Sequence, residues 1–526
     1  MNPSVGTPPW SPGSRPRRQF DPAILPRLAL FIPVFAVLSA TAADPDLWGH
    51  VRFGSDIVAA RAIPEYDAYS FTSDRVWVNH EWLSEVIFYA AYAAGGNTGL
   101  IALRLAILAL TLLIIARALD RAELPAIARD LLLVFAVVGT MATTGTVRPQ
   151  LFSLLAFTWL LWRLRESERC GWHALLLVPL VMAIWANLHG GWLVGLGALG
   201  LWTMATIARR GSSANSNAPS RPQLVAILAA SAFATALNPY GAGLWRFLGE
   251  TVSVTRADIV EWRPITTAPP AEIGIWIVTC VAAALAIAKA RQRLVSPGAF
   301  AVVMLLALGS LRVRRLDAFL VLAVVILAGP ALVAAFGRRA RGLKPPRYAG
   351  PVERTLQRAR PPAWVIVALV LAAVIVDGRM RPSGRFGCID TSDPRLPDGQ
   401  AAAFIRANAV SGRMLTWFDW GEYAIWHFSP RVQVSMDGRR ETVYSDSLIR
   451  AHLGFYFDDP GGLVLVKQLN PGYIWLPADL PAVRVLEAEG WRRVFGGQRS
   501  VLFQRSGSGR QTATQPTAPV NRCFPG

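Results

Sequence analysis

The chain has 526 residues, of which 53% are apolar and only 17% charged, and its mean hydropathy is +0.36. Soluble domains carry nearer ~25% charge, and many stretches here run roughly 17 to 20 residues with little or no charge, enough to cross a bilayer core of about 30 Å; a soluble enzyme and a disordered chain are both excluded. The formal charge of +19 rests almost wholly on Arg, with Lys289, Lys344 and Lys467 the only lysines. These basic residues sit in short segments between apolar runs, which fits the positive-inside rule rather than nucleic-acid binding.

Residues 1–23 are rich in Pro, Arg and Ser and read as a disordered cytoplasmic tail. Apolar spans are expected at 24–43, 97–117, 127–145, 149–164, 173–189, 190–208, 222–238, 272–289, 296–312, 316–336 and 362–378. The basic connectors include Arg15/Arg17/Arg18, Arg117/Arg121/Arg129, Arg163/Arg165/Arg169, Arg209/Arg210, Lys289/Arg291/Arg293 and the run Arg338 to Arg360. With all of them in the cytoplasm the spans alternate without conflict, which gives about eleven transmembrane helices, the N-terminus inside and the C-terminus outside. The first span ends in the cleavage-like Ala40-Thr41-Ala42, but its apolar stretch exceeds the usual ~7–15 residues of a signal peptide, so retention is expected.

Residues 81–95 are apolar but short. Counting them as a span would put every later basic loop outside, so they are expected to form an amphipathic or re-entrant helix on the outer surface. They belong to the first outer loop, 44–96, which holds eight acids against three Arg.

The composition changes again between 379 and 505. Short β-like runs (Arg413–Trp417, Arg431–Met436, Tyr473–Leu476) alternate with helical patterns (Gln400–Asn408, Ser445–Phe455, Leu480–Glu489), and a hairpin fits Trp491–Arg505. That alternation predicts a small extracytoplasmic α/β domain. The tail 506–526 reads as flexible. Cys388 and Cys523 both fall outside the membrane, where they either pair or remain two free thiols.

Polar groups at a membrane edge are costly and point to function. Here they gather at the outer ends of the spans, in DPDLWGH (44–50), VNHEWLSE (78–85), TGTVRPQ (144–150), WANLHGGW (185–192), LNPYG (237–241), VEWRP (260–264) and LRVRRLD (311–317). Arg148, Arg312, Arg314 and Arg315 run against the positive-inside trend. Arg in such a place can hold phosphate bidentately or contact lipid headgroups. Asp44 and Asp46 supply carboxylates at the membrane edge, where partial desolvation raises a carboxyl pKa and suits it to general-base work. His50, His80 and Glu81 are placed to assist. Asn187, His189, Asn238, Tyr240, Glu261 and Trp262 complete a candidate cavity, Tyr and Trp faces suiting sugars. Asp419, Trp420, Asp437, Arg439 and Arg440 are the polar candidates of the outer domain, more readily explained as organisers of its turns.

Several motifs lack their partners. The fourth residue after His80 is Ser84, so His80-Glu81 does not begin a zinc-protease helix. His189-Gly190-Gly191 has no accompanying G-x-S-x-G, and there is no P-loop.

The runs DPDLWGHVRFG, IPEYDAYSFT and VNHEWLSEVIFY resemble the first outer loop of a large group of bacterial polytopic membrane proteins. That group reads D-P-D-L-W-W-H, then P-x-x-D-x-x-S-F-T, then W-x-x-H-E-W-L; Gly49 stands where its second Trp would be. RPQLFSLL, WANLHGGW, ALNPYG, EWRP and WFDWGEYAIWHF…VSMDGRRETVY extend the resemblance over most of the chain. The group resembles, more distantly, the GT-C superfamily of polyprenyl-phosphate-sugar-dependent glycosyltransferases. The resemblance implies an α-helical polytopic fold in the bacterial plasma membrane, with juxtamembrane helices in 44–96 inside a transmembrane domain 24–378. It implies a polyprenyl-phosphate sugar donor, a glycan, lipid or protein acceptor at the outer face, and membrane lipids as surroundings. Asp44, first, or Asp46 would act as base or bind the acceptor or a divalent metal; no other cofactor is called for. The competing expectations are a non-enzymatic scaffold with a partner-binding outer domain and a lipid or solute transporter, which would need mid-membrane charges and paired interrupted spans.

Overall fold

The backbone turns helical directly after Asp44-Pro45-Asp46. In a computed structural model of the protein, residues 34, 38, 41–209, 219–253, 259–289, 295–342, 387–457, 461–505 and 523–526 are described. The leader 1–23, nearly all of the first expected span, the span expected at 362–378 and the tail 506–522 lie outside the described residues.

Helix α1 (Leu47–Ala60) buries Leu47, Trp48, Val51 and Phe53 and ends at Arg61 in the left-handed conformation. It packs along α2 (Trp82–Asp120), which is two helices in one. At Gly95 and Gly96 the backbone leaves helical geometry, Gly96 with φ 55° and ψ −136°. The portion before the break rises only about 20 Å at 1.5 Å per residue; the portion after it rises about 36 Å, enough for a bilayer core. The segment 81–95, expected as an amphipathic or re-entrant helix, is thus a short helix that ends at the two glycines, with Ser84, Glu85 and Phe88 buried and Ala90, Ala93 and Ala94 exposed.

The helices that follow are α3 (Ala126–Gly139), α4 (Gln150–Cys170), α5 (Val178–Leu188), α6 (Trp192–Arg209), α7 (Arg221–Ala234), α8 (Gly243–Ser253), α9 (Pro270–Lys289) and α10 (Pro297–Ser310). Next, α11 (Asp317–Ala323) runs through a π turn, Val324–Ala328, into α12 (Gly329–Gly342). A helix lies over each expected span that falls on described residues. By length and composition, Trp82–Asp120, Pro270–Ala288 and Arg314–Ala335 can each cross a bilayer. Trp172–Leu188, Trp192–Ala208, Arg221–Ala234 and Pro297–Ser310 are shorter apolar helices. Arg165 donates to the Ile326 carbonyl inside the π turn at 2.7 Å, where the ordinary helical ladder is broken. Arg104, fully buried within α2, donates to the carbonyls of Thr144 at 2.6 Å and Leu38 at 3.2 Å and to Thr41 Oγ1 at 2.8 Å. It pins the segments that carry Asp44 and Arg148.

The C-terminal α/β domain has a five-stranded sheet of order β2-β1-β3-β5-β4: β1 (Gly412–Thr416), β2 (Val432–Val434), β3 (Tyr473–Pro477), β4 (Arg492–Gly496) and β5 (Ser500–Gln504). β1 pairs in parallel with β2 and β3, whereas β5 runs antiparallel to β3 and β4. The expected strands, hairpin and helices α13 (Gly399–Ala407), α15 (Asp446–Tyr456) and α17 (Pro481–Ala488) are present; α14 (Gly421–Phe428) and α16 (Gly462–Leu469) are additional. One apolar core runs without interruption from the helical bundle into the face of the sheet carrying Met414, Val434, Trp475 and Leu502. A smaller core covers the other face around Leu415, Ile474, Val501 and Phe503.

The α/β domain is joined to the segment 41–96 at several places. Ser70 bridges Val434 at the β2 edge, and Ala42 bridges both Thr146 and Asp390. Cys388 and Cys523 are disulfide-bonded. The expected looseness of the tail does not reach its last four residues: Phe524 is 1% exposed, and Trp48 Nε1 donates to the Pro525 carbonyl at 2.8 Å.

Candidate active site at the membrane edge

Asp44 and Asp46 face the same guanidinium. The Asp46 N–H donates to Asp44 Oδ1 at 3.2 Å, and the Leu47 N–H to the Asp44 carbonyl at 3.0 Å, so a tight turn carries both acids into the start of α1. Arg148 stands just before Pro149, the residue that caps α4. Its Nε lies 3.3 Å from Asp44 Oδ1, its Nη2 3.1 Å from Asp46 Oδ2 and its Nη1 2.5 Å from Glu261 Oε1. Three segments far apart in sequence thus meet on one side chain.

Burial separates the acids that share this arginine. Asp44 is 3% exposed, and burial pushes its carboxyl up to about 6, Arg148 pulling down and Asp46 and Glu261 pushing up. Glu261 is held down to about 2, first by Arg148 and against its own burial, with Arg315 also lowering it. Burial works against the charge on Arg148, but Asp44, Glu261 and Asp46 outweigh it and keep the guanidinium protonated. As pH falls, Asp44 therefore takes up a proton well before Glu261 does.

A polar cleft opens beside Arg148, lined also by Thr143, Thr146, Gln150, Glu261, Glu272, Arg314, Arg315 and Asp317. Arg314 forms a fork with Glu272 at 2.7 and 2.5 Å. Arg315 Nε lies 3.7 Å from Glu261 Oε2 and is buried without a hydrogen bond. Arg312 is exposed.

The other expected residues form a shell beside this cluster. His189 Nδ1 accepts from the Gly191 N–H at 3.0 Å and lies 2.6 Å from Ser153 Oγ, which itself accepts from Trp185 Nε1 at 2.7 Å. That pattern puts the proton of a neutral His189 on Nε2, which faces Glu81 Oε1 at 3.6 Å. His80 Nε2 reaches the same oxygen at 3.6 Å. Tyr240 Oη accepts from the Asn79 N–H at 2.8 Å, and Asn187 Oδ1 accepts from Trp82 Nε1 at 2.9 Å. His50 faces Glu85 at 3.7 Å rather than Arg148. Asn238 folds its own turn, accepting from the Tyr240 N–H and donating to the Thr235 carbonyl. Trp262 is half-buried in the turn that carries Glu261.

Glu272, Asp317 and Glu422 are the groups that sequence reasoning did not single out. Glu272 and Asp317 open apolar helices, where an acid reads as a favourable helix-dipole partner. Glu422 and Asp419 arrive from the α/β domain. Burial, then Asp46 and Asp44, raise Asp419 to about 7; burial, then Asp46 and Asp437, drive Glu422 well above the usual carboxylate range. Among the described residues no three His, Cys, Asp or Glu side chains converge on a point that could hold a metal ion. Between Asp44, Asp46 and Glu261 the guanidinium of Arg148 takes the central position instead.

No protein-family profile matches the sequence, and no curated protein matches it. Solved structures do match its fold. The apo oligosaccharyltransferase of Archaeoglobus fulgidus aligns with a TM-score of 0.52 at 11% identity, over 86% of this chain and 69% of that one. The apo ArnT of Cupriavidus metallidurans aligns with a TM-score of 0.53 at 13% identity, over 91% of this chain and 97% of that one. The fold is GT-C-like. Within it, Asp44, Asp46, Arg148 and Glu261 lie where the helical bundle meets the α/β domain.

Proposed function

We propose that this protein is a membrane glycosyltransferase that moves a sugar from a polyprenyl-phosphate-linked donor to an outer-face acceptor. The observation that carries the reading is the convergence of Asp44, Asp46 and Glu261 on Arg148 at the edge of a polar cleft, inside a GT-C-like fold. The eleven-span topology, with the N-terminus cytoplasmic and the α/β domain extracytoplasmic, belongs to the same proposal.

In this mechanism the acceptor hydroxyl attacks the anomeric carbon of the donor sugar. The bond from that carbon to the phosphate oxygen breaks, and the polyprenyl phosphate leaves with the bonding electrons. Asp44 takes the hydroxyl proton; a carboxyl tuned to about 6 is ionised at neutral pH yet still basic enough to accept it. Asp46 steers the acceptor. Arg315, half-buried beside the cleft with its Nε unbonded among the described residues, and Arg148 offer positive charge to the departing phosphate. His80, Glu81, His189, Asn187, Tyr240 and Trp262 shape the cavity, and Arg314 fixes its floor through Glu272.

The test compares lipid-linked and surface glycans by mass spectrometry in cells lacking the gene, complemented with wild type, Asp44→Asn or Asp46→Asn. A glycan lost with the gene and restored by wild type but not by Asp44→Asn is the expected result. Restoration by both Asn variants sinks the mechanism. No glycan change in any strain sinks the transferase reading and favours a non-enzymatic scaffold or a transporter.

A further inference from the structure

The α/β domain sends two carboxyl groups, Asp419 and Glu422, into the catalytic corner that the mechanism above does not use. Glu422 stands in the first turn of α14, which packs on α1, and it is 3% exposed. Its side chain passes over Gly49 so closely that a Cβ there would lie 2.0 Å from Glu422 Oε2. Gly49 is the position at which this chain departs from the D-P-D-L-W-W-H pattern, and any larger side chain would displace the carboxyl. A Cβ at Gly438 would lie 2.9 Å from Glu422 Oε1 and 2.3 Å from Asp46 Oδ1. The two carboxyl groups therefore converge on one glycine, and two missing side chains make the room they occupy. Glu422 Oε2 has no hydrogen-bond partner among the described residues. The titratable and charged groups nearest Glu422 are Asp46, Asp437, Arg439 and Glu85.

We propose that Glu422 is a positioning residue for Asp46, so that the acid pair of the membrane-edge site is complete only when the outer domain is docked on α1. The inference rests on the transferase reading for its functional half. A buried carboxyl beside Asp46 and Asp437 is stable as the neutral acid, burial being the largest cause. In that form it keeps a proton to donate and adds no negative charge next to Asp46. Glu422 thus orients the acidic oxygen without competing for Arg148. The linkage follows in sign: a carboxyl whose folded pKa is raised contributes stability that is present below its ordinary value of 4.5 and is lost as pH rises through the folded value.

The experiment uses the full chain in detergent and in the complemented deletion strain, with Glu422→Gln, Glu422→Ala and Gly49→Ala beside wild type. Glu422→Gln keeps a neutral donor and is expected to restore the glycan. Glu422→Ala and Gly49→Ala are expected to restore less than a tenth of it while the protein remains folded by Trp fluorescence. In thermal unfolding, Glu422→Gln is expected to gain on wild type steadily as pH rises above 4.5. Restoration by a folded Glu422→Ala equal to that by wild type overturns the proposal. If wild type itself changes no glycan, the transferase reading has failed on its own. The unfolding series then decides the remainder: a gap that opens with pH supports a neutral carboxyl clamp between α14 and α1, and a gap that stays flat overturns it.

Discussion

Two arginines in this molecule each gather carboxylates from distant segments, and they do so to different ends. Arg439 lies between Asp67 Oδ1 at 2.9 Å and Asp437 Oδ2 at 2.7 Å, with its side chain 5% exposed. The rings of Trp77, Phe53 and Tyr69 sit 4.6, 4.9 and 5.3 Å from its guanidinium carbon. Arg148 has three acids but no aromatic cage, and its side chain is 19% exposed on a cleft. Rings exclude water and competing ligands from the first cluster, which fastens the segment 44–96 to the α/β domain. The second is left open on one side, so its charges can meet something that arrives.

The largest expected effect is on the closed cluster. Arg439→Ala leaves Asp67 and Asp437 buried without their counter-ion, and breaking such a pair costs about 3–5 kcal/mol. Thermal unfolding of the purified protein is expected to drop sharply, and limited proteolysis to release the outer domain first. If Arg439→Ala unfolds like wild type, the closed cluster is not the fastening that its geometry suggests.

At the open cluster the loss falls on activity. Arg148→Gln removes charge from the leaving phosphate, and loss of one such donor costs about 10²–10³ in rate. The same variant tests the tuning of Asp44. In wild type, transfer is expected to rise with pH through about 6 as Asp44 ionises. Without the guanidinium that pulls it down, Asp44 titrates higher and the profile shifts upward. Stability runs the opposite way: relative to Asp44→Asn, wild type loses ground as pH rises from 3.8 through about 6. An unshifted profile in Arg148→Gln would assign the titration to another group, with Asp419, at about 7, the first candidate.

Much of this was legible in the chain because it is local. The strands of 399–505 and its helices α13, α15 and α17 follow from alternation and from punctuation by Gly and Pro, whereas α14 and α16 did not stand out. The apolar helices follow from run length. The membrane-edge acids and arginines stood out because they are costly at that depth. Contacts between remote segments were not legible. Asp67 meets Arg439 across 372 positions, and nothing in IPEYDAYS names that partner. Glu422 sits in a helical stretch, GEYAIWHF, where it reads as a helix-start acid; only the docked backbone shows that Gly49 and Gly438 make room for it. The run LRVRRLD offered three arginines of equal standing, and packing alone sorts them.

That sorting gives the smallest and sharpest prediction. Arg314 is engaged in a fork with Glu272, Arg315 is half-buried beside Glu261, and Arg312 points outward from the end of α10. A lipid-headgroup role for all three would make them interchangeable, each contributing about 1 kcal/mol of membrane attraction. A site role would not. Arg315→Gln is expected to cut transfer most and Arg314→Gln less, through a loosened cleft floor. Arg312→Gln should leave transfer nearly unchanged and shift stability by no more than about 0.5 kcal/mol. Equal losses in all three variants, measured as glycan restored per folded protein, would transfer the whole run from the site to the lipid surface. Arg148 would then be the remaining basic group of the open cluster, and the contrast with Arg439 would narrow to burial alone.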